Sequence, residues 1–428
     1  MRRTYSLLVR VAAPLVAAAS WVRGWRSPGH RRHLAERFGR GPAPRATGGL
    51  WLHAVSLGEV NAAGALVRAL RERHPHLPLL LTTATPTGRA RAEAAFGETV
   101  DVRYLPYDTP AAVARFLAQV RPVLGVVLET ELWPNLFAEC ARRGIPMVLA
   151  SARLSARSVR RYRRFPGLCR ALFAADVTVA AQSAADAQRF AAIGADPSRV
   201  LTLGNLKFDY DPDPQLRERA RVLRESLLGA RPVWVAGSTH AGEEEIVLEA
   251  HRRVLEARPD ALLVLAPRHP QRFDAAAAML ASRRMRHQRR SDGVAVPAGA
   301  TVLLLDSIGE LTTLYGAADL AFVGGSLVPI GGHNLLEVAA LGVPVLTGPH
   351  QDNGRDVAAL LVDAGAARIV RDEESLARAV LDWLQNEDAR NAAGDAGRAA
   401  VESRRGGLAR LLDLLEARLG PAVASRRQ

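Results

Sequence analysis

The sequence has 428 residues, 48% of them hydrophobic and 23% charged, which is ordinary for a globular protein of two or three domains with sizeable cores. Its two cysteines, Cys140 and Cys169, lack metal-type spacing, which excludes a disulfide framework and indicates a reducing cytosol. The net charge is +14, and because Lys207 is the only lysine the excess is almost wholly arginine, whose planar fork suits an anionic partner surface.

An apolar segment, residues 5–22, opens the chain and is the one membrane candidate in the sequence. Arg10 and Pro14 interrupt it, whereas a span usually needs about 20 apolar residues. One helical stripe is apolar and consists of Leu8, Val11, Leu15, Ala19 and Val22. The opposite face is small or polar and consists of Arg3, Ser6, Arg10, Ala13, Ala17 and Ser20. This pattern favours an interfacial helix or a short anchor over a cleaved signal peptide. The alternative is a core helix with a solvated basic flank.

A basic segment follows this helix directly. Its arginines are Arg23, Arg26, Arg31, Arg32, Arg37 and Arg40. Near an anionic leaflet each arginine adds about 1 kcal/mol of attraction, so several together matter. We therefore expect the N-terminal region to associate with the cytoplasmic face of a membrane.

The first polar cluster follows a predicted strand at residues 50–54. A loop at residues 55–58 leads into a helix that begins near Glu59. Ser56 three residues before Glu59 fits a capping box, which is the purely structural explanation. The functional explanation is that Gly58 and the loop present Glu59 at the carboxyl edge of the sheet. There the positive end of the helix favours an ionised carboxylate that is ready to accept a proton.

A second cluster follows the fully apolar strand predicted at residues 123–128. Glu129 and Glu131 come directly after it and are followed by Trp133 and Pro134. Structure alone has little need for two carboxylates and an aromatic residue at a strand end. We therefore expect a functional role for at least one of the two glutamates.

Arginines concentrate after the next predicted strand, residues 146–150. The four that share one helical face are Arg153, Arg157, Arg160 and Arg164. A solvated basic face is the structural explanation. Because the segment adjoins a strand end, we favour a site for a phosphorylated substrate or for lipid head groups.

Strand–helix alternation restarts after a linker rich in Asp and Pro at residues 209–216. Each half thus predicts a doubly wound parallel sheet, and we expect the two sheets to face a cleft. The predicted domains are a membrane-anchor helix at 1–24, an N-terminal domain at 25–209 and a C-terminal domain at 210–428.

The densest motif of the second half, residues 323–349, contains a strand end, two glycine pairs, a predicted helix and another strand. Glycines at a strand's carboxyl end let the backbone approach a phosphate or a sugar. Asn334 and Glu337 are three residues apart on a helix face, where a carboxylate suits a pair of sugar hydroxyls. The structural alternative is a capping-box-like helix start in which the glycines serve only turns.

Seven motifs in order resemble the bacterial Kdo (3-deoxy-D-manno-octulosonic acid) transferases over nearly the whole chain. They are WLHAVSLGE, ETELWPNL, LGNLKFD, AGSTHAGEEE, PRHP, DSIGEL and GGHNLLEVAALGVPVLTGPH, after a basic start that ends in ERFG. The resemblance implies a GT-B glycosyltransferase of two Rossmann-like domains, with a membrane-facing N-terminal domain and a C-terminal domain that binds CMP-Kdo. It also implies an inverting, metal-independent transfer of Kdo to a lipid A precursor at the inner membrane, with no cofactor.

The resemblance also implies roles for individual residues. Glu59 stands at the position of the general base, and Glu129 and Glu131 match the second acidic element. Ser56, Gly58, Arg153 and Arg157 are the expected acceptor-binding residues. The expected donor-binding residues are Ser238, Thr239, Arg268, Gly325, His333, Asn334 and Glu337. After GPH the family pattern usually has an aromatic-flanked asparagine, whereas this chain reads Gln351-Asp352-Asn353, which puts a donor contact there in doubt.

Two alternatives remain at this stage. One is another GT-B enzyme of envelope biosynthesis, such as an N-acetylglucosaminyl transferase or a sugar-nucleotide epimerase. The other is an arginine-rich nucleic-acid-binding protein, which only the pI near 11.0 suggests. We expect no nucleic-acid partner, because the basic residues adjoin an amphipathic segment rather than an aromatic stacking platform.

Overall fold

A computed structural model describes residues 2–23, 31–174, 176–210, 213, 215–293 and 295–420. The chain divides into two compact units by its internal contacts. The first comprises Met1–Asp209 together with Arg405–Gln428, and the second comprises Tyr210–Arg404.

The first unit contains a parallel sheet of seven strands within its described residues, in the order β3-β2-β1-β4-β5-β6-β7. The strands are β1 (Leu50–His53), β2 (Leu79–Thr83), β3 (Asp101–Tyr104), β4 (Leu124–Leu128), β5 (Met147–Ala152), β6 (Val177–Ala181) and β7 (Val200–Thr202). The helices are α1 (Arg2–Arg23), α2 (Leu57–Arg73), α3 (Pro86–Phe96), α4 (Pro110–Val120), α5 (Pro134–Arg142), α6 (Ala156–Tyr162), α7 (Pro166–Phe173) and α8 (Ala184–Ala192). The order reverses direction at β1 and β4, as expected for a doubly wound sheet.

Two apolar cores cover the two faces of this sheet, because alternate side chains of each strand point to opposite sides. Trp51 belongs to one core, which includes Phe116 of α4 and Phe137 of α5. Leu52 belongs to the other, which includes Leu66 of α2. The strands are buried on both faces, so the carboxyl ends of the strands and their loops are what remains open to ligands.

The second unit contains a second parallel seven-stranded sheet within its described residues, in the order β10-β11-β9-β8-β12-β13-β14. The strands are β8 (Val233–Thr239), β9 (Leu262–Pro267), β10 (His287–Arg289), β11 (Val302–Leu304), β12 (Leu320–Val323), β13 (Val345–Thr347) and β14 (Ala367–Ile369). The helices are α9 (Leu216–Leu223), α10 (Glu243–Ala257), α11 (Phe273–Ser282), α12 (Leu311–Ala317), α13 (Leu336–Ala339), α14 (Arg355–Asp363), α15 (Glu373–Gln385) and α16 (Glu387–Glu402). Trp234 and Phe322 on the two central strands are fully buried in its core.

The predicted division at residue 209 coincides with the boundary between the units, but the predicted C-terminal domain is wrong at its end. The last helix, α17 (Gly407–Leu419), belongs to the first unit. Its Leu411, Leu412 and Leu415 join the core that contains Leu66. Asp209 accepts hydrogen bonds from the backbone N–H groups of Gly406, at 2.6 Å, and Leu408, at 2.7 Å, and so caps this helix.

The predicted pair of parallel strand–helix halves is confirmed, with differences in short elements. The helix predicted after Asn334 is a single turn, α13, because Gly342 and Pro344 follow so closely. The short edge strands β10 and β14 carry polar residues and have no apolar run, so the sequence did not indicate them.

Helix α1 is long and apolar enough to cross a membrane, by length and composition only. Its two predicted faces differ in exposure as expected, except that Arg3 and Arg10 of the small or polar face are exposed. Ala13 and Ala17 are buried, whereas Leu8, Val11, Leu15 and Val22 are more than 60% exposed. Of the basic segment that follows, Arg26 lies outside the described residues. Arg37 donates to the carbonyl of Ala84 at 2.8 Å and stacks on Tyr104, so this arginine serves the fold rather than an outside partner.

The capping of α17 by Asp209 predicts that Asp209→Ala destabilises the first unit. Losing a carboxylate that accepts from two backbone N–H groups should lower its free energy of unfolding by about 2 kcal/mol. Hydrogen exchange of the β1 amides measures this unit separately. Asp413→Asn, an exposed change in the same helix, should have a much smaller effect. Equal protection in the Asp209 variant would show that the cap is unimportant.

Candidate active site

The carboxyl ends of four strands in the first unit surround one pocket. Because β1, β4, β5 and β7 are parallel, the loops that follow them meet at the same edge of the sheet. The residues that line the pocket are Glu59, Ala62, Leu128, Glu129, Ser151, Asn205, Leu206 and Lys207. Two predicted catalytic residues, Glu59 and Glu129, thus lie together.

Glu59 lies in the first turn of α2, and its carboxylate turns back over the end of the helix. Oε2 accepts a hydrogen bond from the Val55 N–H at 2.7 Å, and the Ser56 hydroxyl is 3.4 Å from Oε1. Ser56 is the N-cap residue, but its side chain makes no capping hydrogen bond. The reciprocal capping box that would explain these residues by structure alone is therefore not formed. The backbone holds one oxygen of the carboxylate, and the residue lines the pocket.

The pKa of Glu59 is raised to about 7, which corrects the expectation that the helix end keeps this carboxylate ionised. Burial is the largest cause, and the charges of Glu129 and Glu131 act in the same direction. The hydrogen bond from Val55 opposes them only in part. A carboxyl group with a pKa near 7 is matched to proton abstraction at neutral pH, because it is substantially ionised and still basic.

Glu129 faces the sole lysine of the chain. Lys207 Nζ donates to Glu129 Oε1 at 3.2 Å, and both side chains are about one-third exposed. Glu129 and Ser151 both have a positive φ, 56° and 52°, which side-chain-bearing residues rarely adopt. Such backbone strain at the ends of two adjacent strands, β4 and β5, is typical of functional sites.

A polar network that the sequence analysis did not assign holds Lys207 in place. The Asn205 side chain accepts from the Lys207 N–H at 3.0 Å and donates to Gln182 at 3.2 Å. Gln182 in turn donates to the Ser151 carbonyl at 2.9 Å. Composition was the one sequence feature that could have indicated Lys207. It is a single lysine in a chain that otherwise uses arginine, and it lies beside a strand end.

Glu131 and the predicted acceptor residues are not among the residues that line this pocket, although the charge of Glu131 acts on Glu59. Burial raises the pKa of Glu131, and the charge of Glu129 adds to the effect. Gly58 has open space where a side chain would begin, next to Ser56. Arg153 and Arg157 are exposed, and the Arg153 carbonyl accepts from Thr130, between the two glutamates. These acceptor assignments stay predictions.

In the second unit, one buried carboxylate organises the loop after β12. Glu243 has no exposed surface, and its Oε1 accepts from the N–H groups of Ser326 and Leu327, each at 2.8 Å. Its Oε2 accepts from Gly325 at 2.7 Å and from His240 at 3.0 Å. The side chain occupies the place where an anion would bind such a loop. Any contact of Gly325 with the donor substrate must therefore use an atom other than its N–H. The glycine motif in the sequence did not indicate that this N–H is already occupied.

Two histidines lie beside this loop. His240 Nε2 and His333 Nε2 are 2.8 Å apart, and their rings are inclined by only 10°. A side chain at Gly325 would come within 2.8 Å of the His333 ring, so glycine is needed for this close approach. Burial, with contributions from His240, Arg268 and His269, lowers the pKa of His333 to about 4, so the ring is neutral at pH 7.

Arg268 and Glu337 belong to the same part of the second unit. Arg268 is exposed, and its charge acts on both His333 and Glu337. Burial raises the pKa of Glu337, against the opposing hydrogen bond from Asn334 and the charge of Arg268. Burial raises the pKa of Tyr210 to about 12 and also raises that of Tyr315, and in both cases the charge of Glu337 adds to the effect. Neither tyrosine belongs to a motif, so no sequence pattern indicated a role for them.

Other predicted donor residues have mixed outcomes. Thr239 is fully buried and its hydroxyl is 3.4 Å from Glu244, so its side chain does not line an open site. Ser238 is half-buried with a positive φ of 56°. Asn334 is exposed; it accepts from the Leu336 N–H at 3.2 Å and donates to Glu337 at 3.0 Å. These two side chains do share a face, as predicted, and together they form the helix start.

The second glycine pair serves packing within the chain. A side chain at Gly331 would come within 2.7 Å of Asn353, and one at Gly332 within 2.4 Å of Gln351. Asn353 donates to the Gly332 carbonyl at 3.2 Å. The segment that departs from the family pattern after GPH therefore packs against these glycines.

Comparisons with known proteins identify relatives across the whole chain. The family model described as 3-Deoxy-D-manno-octulosonic-acid transferase (kdotransferase) matches residues 32–210. A 3-deoxy-D-manno-octulosonic acid transferase of Haemophilus influenzae is 40% identical over 418 residues, which cover 96% of this chain and 97% of that protein. One of Bordetella pertussis is 42% identical over 443 residues, with 98% and 100% covered. A glycosyltransferase structure from Rickettsia africae has a TM-score of 0.55 at 12% identity, covers 88% of this chain and 100% of its own, and shows the same fold.

The contacts of Glu243 predict a large effect of an isosteric change. Glu243→Gln places an NH₂ group against backbone N–H donors, so the free energy of unfolding of the second unit should fall by about 3 kcal/mol. Exchange of the Gly325, Ser326 and Leu327 amides should accelerate accordingly. Glu245→Gln is the matched control, because Glu245 accepts from only one N–H, that of Gly242. Unchanged amide protection at Ser326 and Leu327 in the Glu243 variant would contradict the role of Glu243 in fixing the loop after β12.

Proposed function

This chain belongs to the family of 3-deoxy-D-manno-octulosonic acid (Kdo) transferases, and from that premise we propose that it transfers Kdo from CMP-Kdo to a lipid A precursor with Glu59 as the general base. Family membership sets aside the alternative of an N-acetylglucosaminyl transferase or an epimerase. The observation that carries the assignment of the base is the half-buried Glu59 carboxylate, whose pKa is about 7, in a pocket that Glu129 and Lys207 also line.

In the proposed reaction a hydroxyl of the acceptor attacks the anomeric carbon of Kdo. The Glu59 carboxylate takes the proton of that hydroxyl as the new carbon–oxygen bond forms. The bond between the anomeric carbon and the phosphate oxygen of CMP breaks, and CMP leaves with the electron pair. Attack on the face opposite the leaving group inverts the anomeric configuration.

The acidic pair and Lys207 would stabilise charge during this step. Positive charge develops on the sugar as the bond to CMP lengthens, and the carboxylates of Glu129 and Glu131 can stabilise it. Lys207 holds Glu129 through the 3.2 Å ion pair, which limits the repulsion between Glu129 and the ionised Glu59. The ion pair thus lets Glu59 and Glu129 share one pocket, with Glu131 nearby, without keeping all three protonated.

Groups of the second unit would bind the donor. The exposed guanidinium of Arg268 suits the phosphate or the carboxylate of CMP-Kdo. Glu337, braced by Asn334, would accept from ribose or sugar hydroxyls, and the neutral His333 can donate or accept one hydrogen bond. We propose that arginine charge replaces a metal ion at the leaving phosphate, so the reaction needs no metal or cofactor.

The acceptor would reach the pocket from the cytoplasmic face of the inner membrane. Arg153 and Arg157 are exposed and suit the acceptor's phosphates, while Ser56 and Gly58 line its approach to Glu59. The exposed apolar stripe of α1 fits an anionic membrane surface, and the net charge of +14 attracts the chain to it.

The proposed base predicts that Glu59→Gln abolishes Kdo transfer. Removing a general base should lower kcat at least about 100-fold while the affinity for CMP-Kdo stays within about twofold. Mass spectrometry of a tetra-acyl lipid A precursor incubated with CMP-Kdo and EDTA measures the transfer. Glu72→Gln, an exposed change in the same helix, is the control and should be fully active. Near-normal turnover by the Glu59 variant would refute the base assignment.

The raised pKa of Glu59 predicts the pH dependence of the reaction. Because the base must be ionised, kcat/KM should fall about tenfold per pH unit below about pH 7 and level off above it. Glu129→Gln removes a negative charge that raises the pKa of Glu59. The fall of kcat/KM in this variant should therefore begin at a lower pH, whatever its maximum value of kcat/KM. An acid limb at the same pH in both proteins would argue against the coupling of the two carboxyls.

A further inference from the structure

Helix α1 is docked on the first unit along most of its length. At its start, the Tyr5 hydroxyl donates to Asp108 Oδ2 at 3.0 Å, and the Ser6 hydroxyl donates to Asn135 Oδ1 at 2.7 Å. Two and three turns later, Ala13 and Ala17 are only 5% and 7% exposed. The docked part of the small and polar face is therefore the side that carries Ser6, Ala13 and Ala17.

This docking is incompatible with a membrane span. From Tyr5 to Ala17 the helix rises about 18 Å, and the part beyond Ala17 adds about 9 Å. The hydrocarbon core of a bilayer is about 30 Å thick. The undocked end is thus far too short to cross it, although the composition of α1 alone would permit a span.

The opposite face of α1 is apolar and uncovered among the described residues. The exposed side chains on this side include Leu8, Val11, Leu15 and Val22, with exposed fractions of 62–68%. Arg3 and Arg10 are also exposed and lie seven residues apart, on one flank between the docked and the apolar faces. An apolar stripe flanked by arginine fits the boundary between acyl chains and anionic head groups.

A second basic surface lies in the same layer of helices. Helix α5 contacts α1 and α7, and α7 follows the arginine-rich α6. Arg157, Arg160 and Arg164 are exposed and form no ion pair within the described part of the chain. The positive charge on this side of the sheet is therefore available to anionic lipid. For this reason we favour a bilayer surface, rather than a second protein, as the partner that covers the apolar face of α1.

The contacts of α1 also reach the loop that carries the acidic pair. Asp108 accepts from the N–H groups of Asn135, at 3.0 Å, and Leu136, at 2.8 Å, in the first turn of α5. Helix α5 begins at Pro134, three residues after Glu131. Tyr5 and Ser6 thus hold the same helix start that ends the Glu129–Glu131 loop.

We propose that α1 lies flat in the cytoplasmic surface of the membrane, without spanning it, and that its polar contacts to Asp108 and Asn135 fix the Glu59 pocket relative to that surface. This deepens the proposed function and rests on it, because the acceptor is a membrane lipid. Lateral docking keeps the pocket at a constant height above the head groups. A spanning helix with a loose connection would not.

Cysteine labelling tests the flat orientation without any assay of activity. Cys140 and Cys169 are buried, so a single added cysteine reports its own position. In intact spheroplasts, a membrane-impermeant maleimide should leave Arg3→Cys unlabelled; inverted inner-membrane vesicles should restore labelling. Glu72→Cys, in the exposed part of α2, should give the same pattern. Labelling of Arg3→Cys from outside in spheroplasts would overturn the proposal.

The polar contacts are tested by the double variant Tyr5→Phe/Ser6→Ala, with Thr4→Ala as the matched loss of an exposed hydroxyl. Both proteins should float with vesicles that contain phosphatidylglycerol. Transfer to the acceptor in those vesicles should fall about tenfold in the double variant only. Transfer to detergent-dispersed acceptor should change less than about twofold, which also reports a folded pocket. Equal turnover of the two variants in vesicles would overturn the positioning role.

A further pair, Leu8→Asp and Leu15→Asp, tests the lipid-facing side. Flotation should be lost while transfer in detergent persists, and retained flotation would overturn the orientation. Failure of the proposed function looks different. In that case the unmodified chain itself transfers no Kdo in detergent, whatever the labelling pattern.

Discussion

Carboxylates that accept hydrogen bonds from backbone N–H groups hold together the functional parts of this protein. Glu243 accepts four such bonds and fixes the loop after β12, while Glu59 accepts one from Val55 and faces its pocket. Asp108 and Asp209 cap α5 and α17 in the same way. Ionised oxygen gains most from such donors where water is excluded. Glu243 and Asp108, the two of these acids that are buried, therefore need no arginine partner.

Because backbone N–H groups satisfy these acids, fewer arginines are needed as their partners. In a chain with 57 basic and 43 acidic residues, acids that are satisfied by the backbone leave more arginines free for other partners. Arg268 in the second unit and Arg157 in the first are exposed, and neither pairs with an acid within the described residues. The substrates of the proposed reaction are anionic at the donor phosphate, the Kdo carboxylate and the acceptor phosphates. Free arginine at both units is what such substrates require.

The pKa of Glu59 in the pocket of the first unit depends on a balance between burial and the groups that stabilise its charge. The helix start and the Val55 N–H favour an ionised Glu59, but loss of water and two neighbouring acids favour the protonated form and prevail. Lys207 offsets part of the acidic charge through Glu129 without entering into contact with Glu59. Because an ammonium group is compact, it fits a pocket where a guanidinium would need a wider, planar space.

The sequence by itself determined much of this description. Buried apolar runs ending in glycine, glutamate and hydroxyl residues predicted two parallel sheets and the elements that carry Glu59, Glu129, Arg268 and Glu337, because periodicity and turn chemistry are local properties. The two faces of α1 could also be predicted from the sequence, since they depend only on helical spacing.

Only the tertiary structure decided which groups meet. It placed α17 in the first unit, buried Thr239, gave the N–H of Gly325 to Glu243 and brought Lys207 to Glu129. It also showed which face of α1 is docked, where the amphipathic pattern alone allowed an anchor or an interfacial helix. Hydrogen bonds and charge pairs between residues far apart in sequence depend on how the strands are ordered and how the loops fold back. No local pattern contains that information.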